Sequence, residues 1–334
     1  MAAWLAAGFV AAAMPAQAAT VTAFATNLPQ SLYGLTSDAQ ALYFTGATGA
    51  LRAFNHGPDT GLLGQVSLAN GGVTILYDKA NYKSVSGHVT PMQLATDGAG
   101  KLYWADPDAG SGTGASFLSG TTGGAAPTQF FSICCGPGVL PGDSIGVALG
   151  GGHLYFSDST GGRVGVDPSG SSATQIGPTR YAPDFNTAQY TQIAVGKGKI
   201  FLADSGQELG ADDNGVALEV DMSAYVTPGV RWISFDGSSG FVGLSVGRID
   251  HPRGLVAVGK FLYVTGTSTI WKVNAATGKA QVFVHDKRFE DLQGITYVNG
   301  VFYVADSQTI YGPPVNGVAA ATSDGPGIIW KVTP

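Results

Sequence analysis

Charge is scarce in this chain: only 12% of its 334 residues are Asp, Glu, Lys or Arg, and the formal net charge is −6. The lysines and arginines stand singly. Without a basic stripe to neutralise phosphates, nucleic acid is excluded as an expected partner. Cysteine is almost absent, with Cys134 and Cys135 adjacent to one another, which rules out a framework of disulfides between distant segments. Two readings of that pair stay open. Neighbouring cysteines can join each other only through a strained ring, because their Cα atoms are closer than a disulfide prefers; otherwise they are small loop residues or pair with another molecule. No phosphate loop and no paired-cysteine metal signature occurs. Beyond Met14 no apolar run is long enough to span a bilayer, so the mature chain is expected to have no membrane span.

What is abundant is glycine, 50 of 334 residues, about twice ordinary usage. Short apolar runs are interrupted by Gly, Ser, Thr and Asp every ten residues or so, the pattern of an all-β chain with many tight turns. The first residues differ. An apolar run from Trp4 to Met14 is followed by Pro15 and by Ala16-Gln17-Ala18 before Ala19, which reads as an export signal over residues 1–18 with a small-residue cleavage site, although no Lys or Arg precedes the run. A secreted or periplasmic location is therefore expected, with residues 19–334 forming one domain.

One pattern recurs along that domain: Ala41-Leu42-Tyr43-Phe44-Thr45-Gly46, Lys101-Leu102-Tyr103-Trp104-Ala105-Asp106, His153-Leu154-Tyr155-Phe156-Ser157-Asp158, Lys199-Ile200-Phe201-Leu202-Ala203-Asp204, Phe261-Leu262-Tyr263-Val264-Thr265-Gly266 and Val301-Phe302-Tyr303-Val304-Ala305-Asp306. The aromatic falls at 43, 103, 155, 201, 263 and 303, a mean interval of 52 residues. A period of that size marks a supersecondary unit repeated along the chain. Its fullest copy reads as strand Leu255 to Val258, turn Gly259-Lys260, strand Phe261 to Thr265, strand Thr269 to Val273 and strand Ala280 to Val284, a four-stranded antiparallel meander. A lone meander cannot cover both its faces, but meanders stacked radially cover one another. Six copies predict a six-bladed β-propeller. The first copy is read with its third strand at Leu51, and the fourth with its third and fourth strands at Val216 to Val220 and Val230 to Ser234. After Gly327 to Val332 the last copy lacks a fourth strand. Thr20 to Ala25 is expected to supply it and so close the ring.

His251-Pro252-Arg253-Gly254-Leu255 followed by Leu262-Tyr263-Val264-Thr265, together with the other copies, resembles the YWTD repeat of low-density-lipoprotein-receptor propellers and, equally, the NHL and gluconolactonase-like six-bladed propellers, over roughly Val21 to Val332. The YWTD resemblance implies that Asp106, Asp158, Asp204 and Asp306 tie adjacent blades through backbone hydrogen bonds, with Gly46 and Gly266 leaving two gaps. The gluconolactonase resemblance implies a divalent metal held by carboxylates and amides at the start of the innermost strands. The corresponding positions here, Tyr33, Gln93, Ile145, Gln192, Arg253 and Gln293, include no carboxylate, and a hard cation wants several anionic oxygens. That metal site, and the activity with it, is not expected to transfer.

The same rim of Tyr33, Gln93, Gln192, Arg253 and Gln293 suits a polar ligand instead. Amides donate and accept, and a guanidinium forks onto a carboxylate. The longest loops open on that face, where function concentrates on rigid scaffolds. A small-molecule or protein ligand at the channel mouth, a monomer and no cofactor are the expectation. Asp212, Asn214 and Asp221, around Gly215, echo part of a calcium loop, although Gly210 stands where its first ligand belongs. His88 and His251 are the candidate acid–base groups for the alternative, a propeller enzyme of the lactonase or lyase kind.

Overall fold

The computed structural model describes residues 19–48, 61–82, 89, 91–106, 115–133, 144–158, 164–167, 174–176, 190–204, 229–234, 242–244, 249, 252–307, 309–311 and 321–334. After β1 (Thr20–Leu28), the first sheet comprises β2 (Ser31–Ser37), β3 (Ala41–Ala47), β4 (Gly61–Ser67) and β5 (Val73–Tyr77). The second comprises β6 (Leu94–Thr96), β7 (Lys101–Asp106), β8 (Ala115–Thr121) and β9 (Thr128–Ile133). In the third are β10 (Ser144–Gly150), β11 (His153–Asp158), β12 (Val164–Asp167) and β13 (Thr174–Ile176). The fourth holds β14 (Tyr190–Gly196), β15 (Lys199–Asp204), β16 (Gly229–Ser234) and β17 (Val242–Leu244), and the fifth β18 (Leu255–Val258), β19 (Phe261–Thr265), β20 (Thr269–Asn274) and β21 (Ala280–His285). In the sixth, β22 (Leu292–Val298) and β23 (Val301–Asp306) are followed by a separate hairpin of β24 (Thr309–Tyr311) and β25 (Ala321–Asp324), and then by β26 (Gly327–Thr333). The sixth sheet is completed by β1, which runs antiparallel to β26 from Thr20 opposite Thr333 to Leu28 opposite Gly327.

Two expected strand positions are corrected by this register. The third strand of the first sheet is Gly61–Ser67, paired with β3 from Ala41 opposite Ser67 to Ala47 opposite Gly61, and Leu51 lies outside the described residues. Val230 to Ser234 belongs to the third strand of the fourth sheet, because Ala203 faces Val230, and the fourth strand is Val242–Leu244. Both errors come from choosing the nearest apolar run, when the loop before the third strand is longer than a turn requires.

Turn chemistry sets one end of every sheet. Gly151-Gly152, Lys197-Gly198, Gly259-Lys260 and Asn299-Gly300 join first to second strands in two residues. All four turns open at positive φ, as tight hairpins require. The first two sheets use an aspartate instead: Asp38 Oδ1 accepts from the amides of Gln40 and Ala41 at 2.8 and 2.9 Å, and Asp97 Oδ1 from those of Ala99 and Lys101 at the same distances.

The repeated pattern is the core. Leu42, Leu102, Ile200 and Leu262 are fully buried, as are Phe44, Trp104, Leu202, Val264 and Val304. Each such side chain contributes roughly 1.5–3 kcal/mol through burial. Aromatic pairs join neighbouring sheets: Tyr77 of β5 with Trp104 of β7 at 5.1 Å, Phe117 of β8 with Phe156 of β11 at 4.5 Å, and Tyr263 of β19 with Phe302 of β23 at 4.3 Å between ring centroids. The Tyr77 hydroxyl also donates to the Thr121 carbonyl and accepts from its amide, both at 2.7 Å.

First strands pack edge by edge around the molecule: β2 lies against β6, β6 against β10, β10 against β14, β14 against β18, β18 against β22, and β22 against β2. Their approach leaves no room for a side chain. A Cβ on Gly254 would stand 2.2 Å from the Gln293 carbonyl oxygen, and one on Gly294 would stand 2.5 Å from the Leu35 amide nitrogen.

Outside, Arg288 clamps β1. Its guanidinium donates to the Val21 carbonyl at 3.0 Å, lies over the Trp330 ring at 5.1 Å and forks onto Asp286. That guanidinium holds the Asp286 carboxyl down at about 2. A folded-state value below the unfolded one adds stability that is present above the ordinary carboxylate range and lost as pH falls through the folded value. Asp286→Asn is expected to lower the denaturation midpoint at neutral pH, and the difference from wild type should vanish near pH 2; urea melts at the two pH values measure it. Gly254→Ala is expected to cost several kcal/mol, or to prevent folding, because backbone and not a flexible side chain blocks the added methyl.

Candidate functional site

Every first strand carries the same irregularity. In each sheet two of its consecutive residues face the single fifth residue of the repeated pattern: Tyr33 and Gly34 face Thr45, Met92 and Gln93 face Ala105, Ile145 and Gly146 face Ser157, Thr191 and Gln192 face Ala203, Arg253 and Gly254 face Thr265, and Gln293 and Gly294 face Ala305. This is a β-bulge, which re-aims the side chains next to it. It also revises the expected rim. Tyr33, Arg253 and Gln293 are first bulge residues, whereas Gln93 and Gln192 are second ones, equivalent to Gly34, Gly254 and Gly294.

The second bulge positions serve the seams between sheets. Thr265 Oγ1 donates to the Gln293 carbonyl of the next sheet at 2.7 Å and accepts from the Gly254 amide of its own sheet at 2.6 Å. Thr45 does the same between the first and second sheets, donating to the Met92 carbonyl and accepting from the Gly34 amide at 2.9 Å. In the fourth sheet the fifth-position residue is Ala203, and the Gln192 amide takes over: its Oε1 accepts from the Leu255 amide of the fifth sheet at 2.6 Å. Gln93, also opposite an alanine, is equally buried, and its Oε1 has no partner among the described residues. From the sixth sheet to the first the link is Ser307, whose hydroxyl donates to the Leu32 carbonyl at 2.8 Å and accepts from the Leu32 amide at 3.3 Å. The two sheets with glycine in place of the terminal aspartate are therefore tied by the preceding threonine. Sequence reading missed Ser307, yet the dipeptide Asp-Ser recurs at 158–159, 204–205 and 306–307.

Asp306 is fully buried and accepts three hydrogen bonds, from the Asp291 amide at 2.9 Å, the Glu290 amide at 3.3 Å and the Trp330 indole at 2.8 Å. It thus anchors the segment joining the fifth and sixth sheets. Asp106 is buried to the same degree and bonds the Tyr82 hydroxyl, which the Trp104 indole also reaches. Burial first, and then the Asp106 carboxylate, push the Tyr82 phenol well above its ordinary value, so it stays a neutral donor. Asp158 and Asp204 close their second strands at the equivalent position.

What remains at the rim is a compact polar group on three consecutive sheets. Arg253 and Tyr33 are half-buried and Gln293 is buried. The Gln293 backbone touches Gly254, and a Cβ on Gly294 would stand 2.7 Å from the Tyr33 carbonyl oxygen. Asp291, 6% exposed, accepts from Gln293 Nε2 at 2.8 Å. The rim read from the sequence had no carboxylate; Asp291, just before β22, is brought to Gln293 by their hydrogen bond. A guanidinium, a phenol, an amide and a carboxylate within one arc offer donors and acceptors to a polar guest.

His88, His251, Asp212, Asn214, Asp221, Cys134 and Cys135 lie outside the described residues, as do residues 1–18. Among the described residues no group of three or more His, Cys, Asp or Glu is placed to hold a metal ion. The string Gly142-Asp143-Ser144-Ile145-Gly146 has the letters of a nucleophile elbow, but such an elbow requires a strand-to-helix turn. Here Ser144 begins β10 and faces Asp158 in an antiparallel hairpin, so the string has no catalytic context.

No family model matches the chain, and no curated protein matches it. Solved structures do. A putative oxidoreductase (glucose dehydrogenase) from Thermus thermophilus superposes with a TM-score of 0.60 at 14% identity, covering 94% of this chain and 99% of that one. A gluconolactonase from Xanthomonas campestris gives 0.59 at 9% identity over 94% and 89% of the two chains. A chain of a nidogen/laminin complex gives 0.55 at 15% identity over 79% and 84%. Enzymes and a binding protein thus share this architecture, and at such identities the likeness speaks for fold alone. The chain has the β-propeller fold that its repeated motif resembles.

Proposed function

We propose that this chain is an exported six-bladed propeller, closed by β1 in its last sheet, that binds a polar ligand or a protein side chain at the rim formed by Tyr33, Arg253 and Gln293. The observation that carries the reading is their equivalence: all three occupy the first bulge position, on consecutive sheets whose backbones touch. The other amides of the rim are buried at the second position, with Gln192 committed to a seam. A guanidinium flanked by an amide and a phenol selects a carboxylate that also bears hydroxyls, since a bidentate charge-assisted pair fixes one end and neutral donors fix the other. Asp291 accepts from the Gln293 amide and fixes its orientation. No cofactor enters this scheme.

A second reading, a propeller enzyme, rests on His251 standing two residues before Arg253 in the chain. An imidazole there would supply an acid or base beside an anion-binding guanidinium.

A thermal-shift screen of sugar acids and hydroxy acids tests binding directly. A ligand that raises the wild-type melting temperature is expected to lose about tenfold or more in affinity with Arg253→Ala, in keeping with a charged hydrogen bond of roughly 1.5–3 kcal/mol, while the unliganded melting temperature stays nearly constant. Equal affinity in the variant would remove Arg253 from the site. Turnover of any hit, abolished by His251→Ala with binding intact, would promote the enzyme reading.

A further inference from the structure

The two ends of the sheets differ in charge. Lys197 and Lys260 sit in turns between first and second strands, Lys101 and Lys199 open second strands, and Lys279 lies in the turn between β20 and β21. With Lys272 and Lys331, near the same ends of β20 and β26, seven of the nine lysines among the described residues lie at this short-turn end. Lys79 and Lys287 are at the other. The acids are sorted the opposite way. Of the eight acidic residues whose side chains are described, only Asp38 and Asp97 belong to the short-turn end, and both spend a carboxylate oxygen on backbone amides of their own turns. In a chain of net charge −6, this end is locally basic.

Its shape and chemistry narrow the partner. The lysines are spread over the second, fourth, fifth and sixth sheets and do not line one groove. No arginine joins them among the described residues, although bidentate recognition of discrete phosphates or carboxylates favours arginine. Lysine is a point charge on a long flexible stem, suited to a diffuse anionic surface. At the same ends of β10 and β22 stand Leu149 and Tyr297, two of the exposed large apolar side chains at 36% and 37%; a partly exposed tyrosine on the same end of the sheets as the lysines suits a membrane interface. We infer that the short-turn end is a peripheral docking face for an anionic lipid bilayer, leaving the Tyr33, Arg253 and Gln293 rim facing away from the membrane.

The test uses the whole protein, without residues 1–18, and phosphatidylcholine vesicles with or without about 30% phosphatidylglycerol. Co-sedimentation is expected with the anionic vesicles only, falling about tenfold or more in Lys101→Glu/Lys197→Glu/Lys260→Glu and disappearing at about 0.5 M salt, where charges are screened within a few ångströms. Lys79→Glu/Lys287→Glu, at the opposite end, should bind as wild type does, and melting curves verify that both variants fold. Equal binding to neutral vesicles, no binding to either, or equal loss in the two variants overturns the inference. Retention on immobilised alginate that exceeds vesicle binding would assign the face to an acidic polymer and overturn it as well. Because this readout needs no rim ligand, it stands or falls separately from the rim.

Discussion

Close approach of the first strands is the constraint on which the rest of the structure depends. Where β18, β22 and β2 run side by side, a methyl group on Gly254 or Gly294 would overlap the neighbouring backbone. At that separation ordinary ladder pairing between the strands is impossible, and their peptide groups must find other partners, since a buried orphan costs about as much as a lost hydrogen bond. The bulge answers the geometry by placing two residues against one, and the hydroxyls of Thr45, Thr265 and Ser307 and the amide of Gln192 answer the hydrogen bonding. Glycine opposite a threonine and glutamine opposite an alanine are two solutions to one problem, and where glycine faces an alanine, as Gly294 faces Ala305, Ser307 supplies the hydroxyl from beyond the strand.

Much of this architecture was legible in the chain. The recurring Leu-Tyr-Phe or Leu-Tyr-Trp core and the glycine turns gave the sheets and their order, because strand periodicity and turn chemistry are local properties. The loops before third strands were not local. Leu51 and Val216 to Val220 are apolar runs at tolerable distances, and nothing in their own composition distinguishes them from Gly61–Ser67 or Gly229–Ser234, which only pairing across the sheet selects. The bulge was hidden for the same reason. A one-residue slip exchanges the two faces of a strand, so aligning Gln93 and Gln192 with Tyr33 equated second bulge positions with a first one. Asp-Ser at 306–307 and the threonine before each terminal glycine carried the missing information in plain letters, but their meaning requires knowing which strand lies beside which.

Division of labour follows from the bulge. Of its two residues, the second fits the seam as glycine or a buried glutamine, while the first gives its carbonyl to the seam, as Met92 and Gln293 do, and varies in side chain. The seam position tolerates little, because it must fit a gap and satisfy a neighbour. The first position varies here from tyrosine to methionine, isoleucine, threonine, arginine and glutamine. Enzymes and a binding protein that superpose on this chain at 9–15% identity illustrate the outcome: the scaffold persists while the rim is rewritten.

Pairing of Thr20 with Thr333 carries a kinetic consequence. The sixth sheet joins segments from opposite ends of the repeat array, so its last hydrogen bonds close a loop that contains every other sheet. Contacts of such sequence separation pay their entropy before any reward arrives and slow folding. A chain emerging from a ribosome with its amino end leading cannot complete this sheet until β26 is free. Until then the edge of β1 is uncovered and exposed to strand-to-strand aggregation.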